Sequence, residues 1–463
     1  MSQHRDAANR IAIIGGGVVG CAVFRAFALA GLNPVLLERG DDILSGASKG
    51  NSALLHTLYE ATGPSLELDC VRAGYKEYLD IHERLNLPLL KTSALVVAWT
   101  AEELARLDEV IATAHRADVP DVVPVSAAEL RVREPNLAHK ALGAALVPRE
   151  YVIDPWSAPL AYALQGIANG GEIRRACAVL SGTRESGSWL LETSQGPVRT
   201  DVVINCAGLN GDLVEAICRP SPFTIKPRKG QFIVYDKSAA GLVKAIILPL
   251  ANKYSKGILI GPTAFGNLIL GPTAEEQDDR ERAPLSSEVI RRMIAQGEEK
   301  LPGLAEHDIT AAFAGLRPAT EFSDYQIEAL PGENWITVGG IRSSGLSGAL
   351  GIAGYVTGLY ADHFGALRPV ENPAWVSVPN ICEYRPRSYQ MPDCGEIVCH
   401  CERVTRREIE AALSGPLPAL DIHGLKRRTR CMMGRCQGFY CSNRISELTR
   451  ERFVKPLASG EAA

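Results

Sequence analysis

The chain of 463 residues is long enough for two or three domains with buried cores, and 46% hydrophobic against 22% charged residues is an ordinary soluble globular composition. With 49 Lys and Arg against 53 Asp and Glu, no general excess of positive charge points to nucleic acid or an anionic membrane surface as the main partner. The polar opening MSQHRDAANR lacks a signal-peptide core, and the Gly-rich apolar run from Ile11 to Phe24 is broken at Arg25, too short to span a bilayer; the expectation is a cytoplasmic protein, peripheral at the inner membrane only through a partner.

RIAIIGGGVVGCAVFRAFALAGLNPVLLERG reads as a strand over Ile11 to Ile14, a glycine turn, a helix to about Ala30 and a second strand over Pro34 to Leu37. Gly15, Gly17 and Gly20 supply a tight turn, close backbone approach to a pyrophosphate and close helix-strand packing. Glu38 ends the second strand, where a carboxylate can accept hydrogen bonds from an adenosine ribose. The unit predicts a dinucleotide and leaves FAD and NAD open. An NAD-type fold would proceed to another βαβ repeat, whereas here DDILSGASKGNSALLHTLYEATGP leads through small and polar residues to Asn51, Ser52 and His56.

That segment resembles the stretch under the flavin in the family that holds glycerol-3-phosphate dehydrogenases, L-2-hydroxyglutarate dehydrogenases and D-amino acid oxidases. Further landmarks follow in the family's order: LVVAWTAEELARL, REYVIDPWSAPLAYA, DVVINCAGLNGDLVE, IKPRKGQFIVYD, SKGILIGPTAFGNLILGPTA, AGLRPATEFSDYQIE and GGIRSSGLSGALGIAGYV. They are most similar to the glycerol-3-phosphate dehydrogenase large-subunit type. The resemblance implies an α/β fold, with a Rossmann-type FAD-binding domain (about 8–80, 142–215 and 313–366) and an inserted antiparallel-sheet α+β substrate domain (about 81–141 and 216–312). It also implies FAD contacts from Arg39, Ser48, Asn51, Ser52, Val179, Ala207, Gly208, Gly340, Arg342, Gly345, Leu346 and Ser347, beside Gly15, Gly17, Gly20 and Glu38.

The intervening elements carry their own signals. PSLELDCVRAGYKEYLDIHERLN spaces Leu68, Val71, Tyr75, Tyr78 and Leu79 as an amphipathic helix expected only to pack. Short alternating runs from Pro222 to about Ala312 predict an antiparallel sheet. The strand from Val202 to Asn205 runs into Cys206, Ala207 and Gly208, small enough to let it end against a cofactor or simply in a turn. The Gly345, Leu346, Ser347 turn opens a helix whose N-terminus suits the negative charge on a reduced flavin.

Two residues are candidates for chemistry. Relatives clamp a substrate carboxylate with the Arg of a motif like GLRPAT, which nominates Arg317; its fork suits carboxylate or phosphate, and a structural ion pair with Glu321 or Asp324 is the alternative. Arg342 and Lys256 are further anion candidates. His56 has a suitable pKa to take the hydroxyl proton as hydride leaves for the flavin. Where relatives continue with a small residue and a glycine, this chain has Thr57, Leu58 and Tyr59, and bulk at Leu58 is expected to narrow the substrate pocket.

Residues 367–395, with Pro369, Pro373, Pro379, Pro386 and Pro392 and no periodicity, read as a linker. Seven of the 12 cysteines then crowd residues 382–441, which in a reducing compartment points to metal ligation. Cys399, Cys401, Cys436 and Cys441 have spacing resembling the 2Fe-2S domain of bacterioferritin-associated ferredoxins, so residues 396–455 are expected to be a small α-rich cluster domain. Structural zinc is the alternative, though a C-x-C half fits it less well. Lys426, Arg427, Arg428, Arg430 and Arg435 would offset the cluster's negative charge, or form a solvated or partner-binding face.

A flavin takes two electrons and a cluster passes them singly, so the chain reads as a dehydrogenase that delivers electrons to a partner protein or quinone within a multi-subunit assembly. The first substrate by resemblance is sn-glycerol 3-phosphate; a 2-hydroxy acid or an amino or imino acid is the second. A catalytically silent electron-transfer subunit is the third reading.

Overall fold

The structure is a computed structural model describing residues 10–250 and 257–457; Lys256 lies outside the described residues. A six-stranded sheet runs in the order Gln326–Leu330, Trp335–Gly339, Val202–Asn205, Arg10–Ile14, Asn33–Leu37, Glu172–Arg174. It is parallel except for the hairpin made by its first two strands. Alternate residues of the first strand face opposite layers, as the strand period requires. Ile11 and Ile13 enter the core under the helices Val18–Leu29, Ser157–Ala168 and Gly345–His363. Ala12 and Ile14 meet Trp189 and Leu191 of a three-stranded antiparallel sheet spanning Val179 to Thr200. Both faces are covered, which is why the central parallel strands are mostly apolar.

The second sheet has nine strands built around the antiparallel pair Lys226–Tyr235 and Ile309–Ala319. It matches the antiparallel expectation except that Ile246–Pro249 pairs in parallel with Ala94–Ala98. Gly143–Val147 and Ile309–Ala319 both belong to this sheet, so it reaches beyond residues 142 and 313 into segments the sequence assigned to the cofactor domain. The expected amphipathic helix is Leu66–Ile81, N-capped by Ser65 Oγ, which accepts from the Leu68 N–H at 3.1 Å.

The proline-spaced segment is no free tether. Val378 is buried in the first core, Ile381 and Cys382 in the second, and Trp375 lies under the Arg84 guanidinium 3.6 Å from its ring centroid. Beyond it, the hairpin Ile397–Cys399 with Val404–Thr405 and the helices Arg406–Ala412, Ile422–Thr429 and Ser442–Thr449 enclose their own core of Val398, Val404, Ile409, Leu425 and Ile445.

Candidate active site and thiolate centre

The glycine turn is tight for a stated reason at two positions. Gly15 has φ +111°, and a Cβ there would lie 2.5 Å from the Cys206 carbonyl oxygen; a Cβ on Gly20 would lie 1.9 Å from the Gly15 oxygen. Helix Val18–Leu29 therefore starts against the strand ends, with Gly17 as an extended N-cap and the Val18 N–H donating to Ser48 Oγ at 3.0 Å. Glu38 fixes the turn from behind. Its carboxylate accepts the N–H of Gly16 at 2.6 Å, the N–H of Gly40 at 2.7 Å and the Ser45 hydroxyl at 2.8 Å.

A cavity of about 170 Å³ opens at this helix N-terminus. Its wall includes Gly17, Ser48, Asn51, Ser52, Gly208, Arg342, Gly345 and Leu346 among the expected cofactor residues, and Arg317 from the second sheet. Asn51 shapes its own segment, donating to the Ser48 carbonyl at 3.2 Å and accepting the Ala53 N–H at 2.7 Å. An elongated ligand fits this arrangement: its phosphates would meet free helix N–H groups, and a Cβ at Gly15 or Gly20 would disrupt the turn that holds them.

Other expected cofactor residues stand off the wall. Arg39 is spent on a solvent-facing ion pair with Glu281 at 3.2 Å. Val179 and Ala207 pack in the apolar layer around Trp189. Gly340 makes a left-handed turn at φ +68°. Ser347 Oγ accepts the His56 N–H at 2.8 Å and donates to the Leu54 carbonyl at 3.2 Å, holding the 54–56 segment to helix Gly345–His363.

Arg317 sits opposite Arg228 across the antiparallel pair. Its guanidinium reaches only carbonyl oxygens, Thr273 at 3.4 Å and Arg228 at 3.5 Å. Gly230 leaves it room, since a Cβ there would lie 2.9 Å from Nη2. The candidate ion-pair partners are engaged elsewhere: Glu321 accepts the Thr224 N–H, and Asp324 accepts those of Leu66 and Glu67. Among the described residues Arg317 has no carboxylate partner. Burial, and then the Arg228 charge, pull its pKa down to about 10. Arg342, by contrast, is neutralised by Glu67 at 2.8 Å. Glu67 belongs to the helix expected only to pack, and its acidic first-turn position was the one signal that could have exposed this role.

His56 is not among the cavity-lining residues. Its Nδ1 meets Glu150 Oε2 at 2.7 Å and its Nε2 meets Glu60 at 3.1 Å. Burial alone would lower its pKa, but the two carboxylates outweigh it and raise the ring to about 10, so His56 is an imidazolium near neutral pH. Both ring nitrogens are engaged by carboxylates. The following triplet does not narrow the cavity. Thr57 donates its N–H to Glu150 at 2.7 Å, Leu58 at φ +59° is buried against Leu68 and Val71, and Tyr59 joins the second core.

In the C-terminal domain the four expected ligand cysteines form two contacting thiol pairs, Cys399 with Cys441 and Cys401 with Cys436. Cys399 and Cys441 are buried, Cys401 and Cys436 half-buried. The Cys399 thiol is lowered to about 6, first by the Cys441 thiol and, against burial, by the backbone N–H groups of Glu402 and Met432. Left-handed φ at Arg430, Met432 and Gln437 aims that backbone at the sulfurs. Two thiol pairs with N–H donors suit a centre of two irons, one pair to each. Cys431 is an inert core thiol pushed up to about 12 by burial, and Cys394 only donates to a neighbouring carbonyl.

The basic run has a different use from the expected charge offset. Arg428 forks onto Asp42, Arg427 donates to the Ile43 carbonyl at 2.9 Å, and Arg435 pairs with Asp236. Arg430 pairs with Glu402 and covers the Phe265 ring, 4.1 Å from its centroid. These residues clasp the cluster domain to the rest of the chain.

Glycine turn, cavity and separate thiol pairs define a dinucleotide-dependent redox protein with a second, thiolate-ligated centre. Comparison with known families gives the class its particulars. Residues 10–359 match the FAD dependent oxidoreductase family and residues 397–451 match the BFD-like [2Fe-2S] binding domain. A glycerol 3-phosphate dehydrogenase of Caloramator mitchellensis is 31% identical over 96% of this chain and 95% of its own. One component of the anaerobic glycerol-3-phosphate dehydrogenase of Escherichia coli is 24% identical over 97% of this chain and 89% of its own. The L-α-glycerophosphate oxidase of Mycoplasma pneumoniae, solved with FAD bound, superposes with a TM-score of 0.76 at 22% identity over 81% of this chain and 99% of that one, a likeness of fold. The chain belongs to the FAD dependent oxidoreductase family, with FAD and a 2Fe-2S cluster as its cofactors. Among the described residues no helix is long and apolar enough to cross a membrane.

Proposed function

We propose that this chain is a dehydrogenase that oxidises sn-glycerol 3-phosphate to dihydroxyacetone phosphate and delivers the electrons through its cluster to a partner protein or quinone, within a multi-subunit assembly at the membrane. The observation that carries the reading is Arg317, a half-buried cation on the cavity wall without a carboxylate among the described residues. Such a group costs folding free energy unless a ligand supplies the anion. The names of the two similar dehydrogenases support glycerol 3-phosphate as that anion. Bound FAD supplies the hydride acceptor and the cluster a one-electron carrier.

The residues then divide the remaining tasks. Arg317 binds the substrate anion and orients the alcohol carbon. Ser48 and the N-terminus of helix Val18–Leu29 would hold the cofactor's phosphates, and the N-terminus at Gly345 and Leu346 would offer its N–H groups to the flavin. His56 is held through its charged ring by Glu60 and Glu150 while its backbone N–H ties the 54–56 segment to Ser347, and the hydroxyl proton passes to water. A 2-hydroxy acid is the second reading, favoured by one observation. Glu67 neutralises Arg342, leaving Arg317 as the one unneutralised cation among the described wall residues, sufficient for a carboxylate.

Anaerobic mixing of the holoprotein with sn-glycerol 3-phosphate, L-2-hydroxyglutarate and a panel of amino acids separates the readings. Loss of the oxidised-flavin absorbance with glycerol 3-phosphate, followed by the EPR signal of a reduced 2Fe-2S centre, is expected. Bleaching by L-2-hydroxyglutarate alone would transfer the proposal to the hydroxy acid, and no bleaching by any compound would leave a silent electron-transfer subunit.

A further inference from the structure

The loop 39–46 has two faces. On one it closes the dinucleotide turn: the Leu44 N–H donates to the Gly16 carbonyl at 2.9 Å, and Gly40 and Ser45 hold the Glu38 carboxylate. On the other it carries Asp42, whose side chain is fully buried. Arg428 of the cluster domain grips that carboxylate with both terminal nitrogens, Nη2 to Oδ1 at 2.9 Å, and Arg175 reaches Oδ1 at 3.4 Å. Arg175 also donates to the Pro418 carbonyl, and Arg427 to that of Ile43. The fit is close enough to require a glycine: a Cβ on Gly424, in helix Ile422–Thr429, would lie 1.8 Å from Asp42 Oδ2.

We infer that Asp42 couples the two cofactor sites, so that a cluster-loaded C-terminal domain seated on loop 39–46 holds the adenosine end of the FAD site closed and tightens FAD binding. Asp42 is a positioning residue. It is held away from the cavity, and it acts on FAD through Gly16, Gly40 and Ser45 around Glu38. The cluster supports the domain because its four ligands lie at both ends of the chain segment that folds around it, from Cys399 to Cys441. Linkage makes the effect reciprocal: whatever tightening the cluster domain gives FAD, bound FAD returns to the cluster domain.

The test titrates FAD into deflavinated full-length protein, following the quenching of FAD fluorescence, in four samples: the parent, Gly424→Ala, Arg428→Gln, and the parent stripped of its cluster. Gly424→Ala adds the methyl group that collides with Asp42 while improving helix propensity, so the wedge acts at the interface and leaves the helix sound. Arg428→Gln opens the same contact by removing charge. A rise of about fivefold or more in the FAD dissociation constant is expected for both variants and for the stripped parent, at the low end of typical coupling factors. FAD-free parent should also surrender its iron to a chelator sooner than FAD-loaded parent. Equal FAD affinity, within twofold, across all four samples would overturn the inference, as would iron loss indifferent to FAD.

Discussion

Arg317 and His56 are both half-buried cations, and their pKa values are shifted in opposite directions. Arg317 is lowered from 12.5 to about 10, so between those values the unfolded chain binds the extra proton, stability rises with pH, and the charged form opposes folding below about 10. Arg317→Met should therefore melt at the same temperature as the parent or higher while KM for the anionic substrate rises by about 10²-fold or more, on the scale of ~2–5 kcal/mol for truncating one side of a buried charged pair. Thermal melting beside steady-state kinetics checks it; a lower melting temperature with unchanged KM would make Arg317 structural. His56 is raised from 6.5 to about 10, so its contribution is fully present below 6.5 and is lost as pH rises through about 10. His56→Gln should accordingly be destabilised at neutral pH, with a shallower decline towards pH 10 than the parent shows. Denaturant midpoints across that range read this, and parallel curves for variant and parent would remove the ion triad from the account.

At the scale of elements, what the sequence showed is what depends on neighbours along the chain. Strand, glycine turn, helix and Glu38 lie within thirty residues, and their spacing alone dictates where the helix N-terminus points. The four-cysteine pattern was legible in the same way. Long-range pairing was not. His56 meets Glu150, 94 residues away, and that contact raises the ring's pKa. Arg342 meets Glu67, 275 residues away, which cancels an anion candidate. Leu58 was expected to narrow the cavity because of its bulk. A left-handed backbone turns it instead between Leu68 and Val71. The basic run could be read only as charge, since its purpose depends on Asp42 and Asp236, acids in two other domains.

At the scale of the whole molecule, the segment 367–395 decides how many parts the chain has. Its prolines and lack of periodicity suggest a spacer, yet its apolar residues are distributed between the two large cores: Val378 enters the helix-covered core, and Ile381 and Cys382 the core beside the nine-stranded sheet. At its end, Arg387, its side chain fully buried, braces the segment internally to Glu383 at 2.8 Å and touches the cluster domain at the Glu402 carbonyl, 3.0 Å away. The segment is thus a strap belonging to the flavoprotein, and the domain boundary that matters for folding lies after it. Burying a large apolar side chain is worth about 1.5–3 kcal/mol, so Val378, Ile381 and Trp375 together contribute roughly 5 kcal/mol or more, comparable with the whole net stability of many domains. A chain ending at residue 366 should therefore be recovered as insoluble or molten protein. One ending at residue 395 keeps the strap, gives up only the cluster domain and should remain soluble with a cooperative melt. Soluble yield and thermal melting of the two truncations distinguish a strap from a tether, because a tether would leave both equally stable.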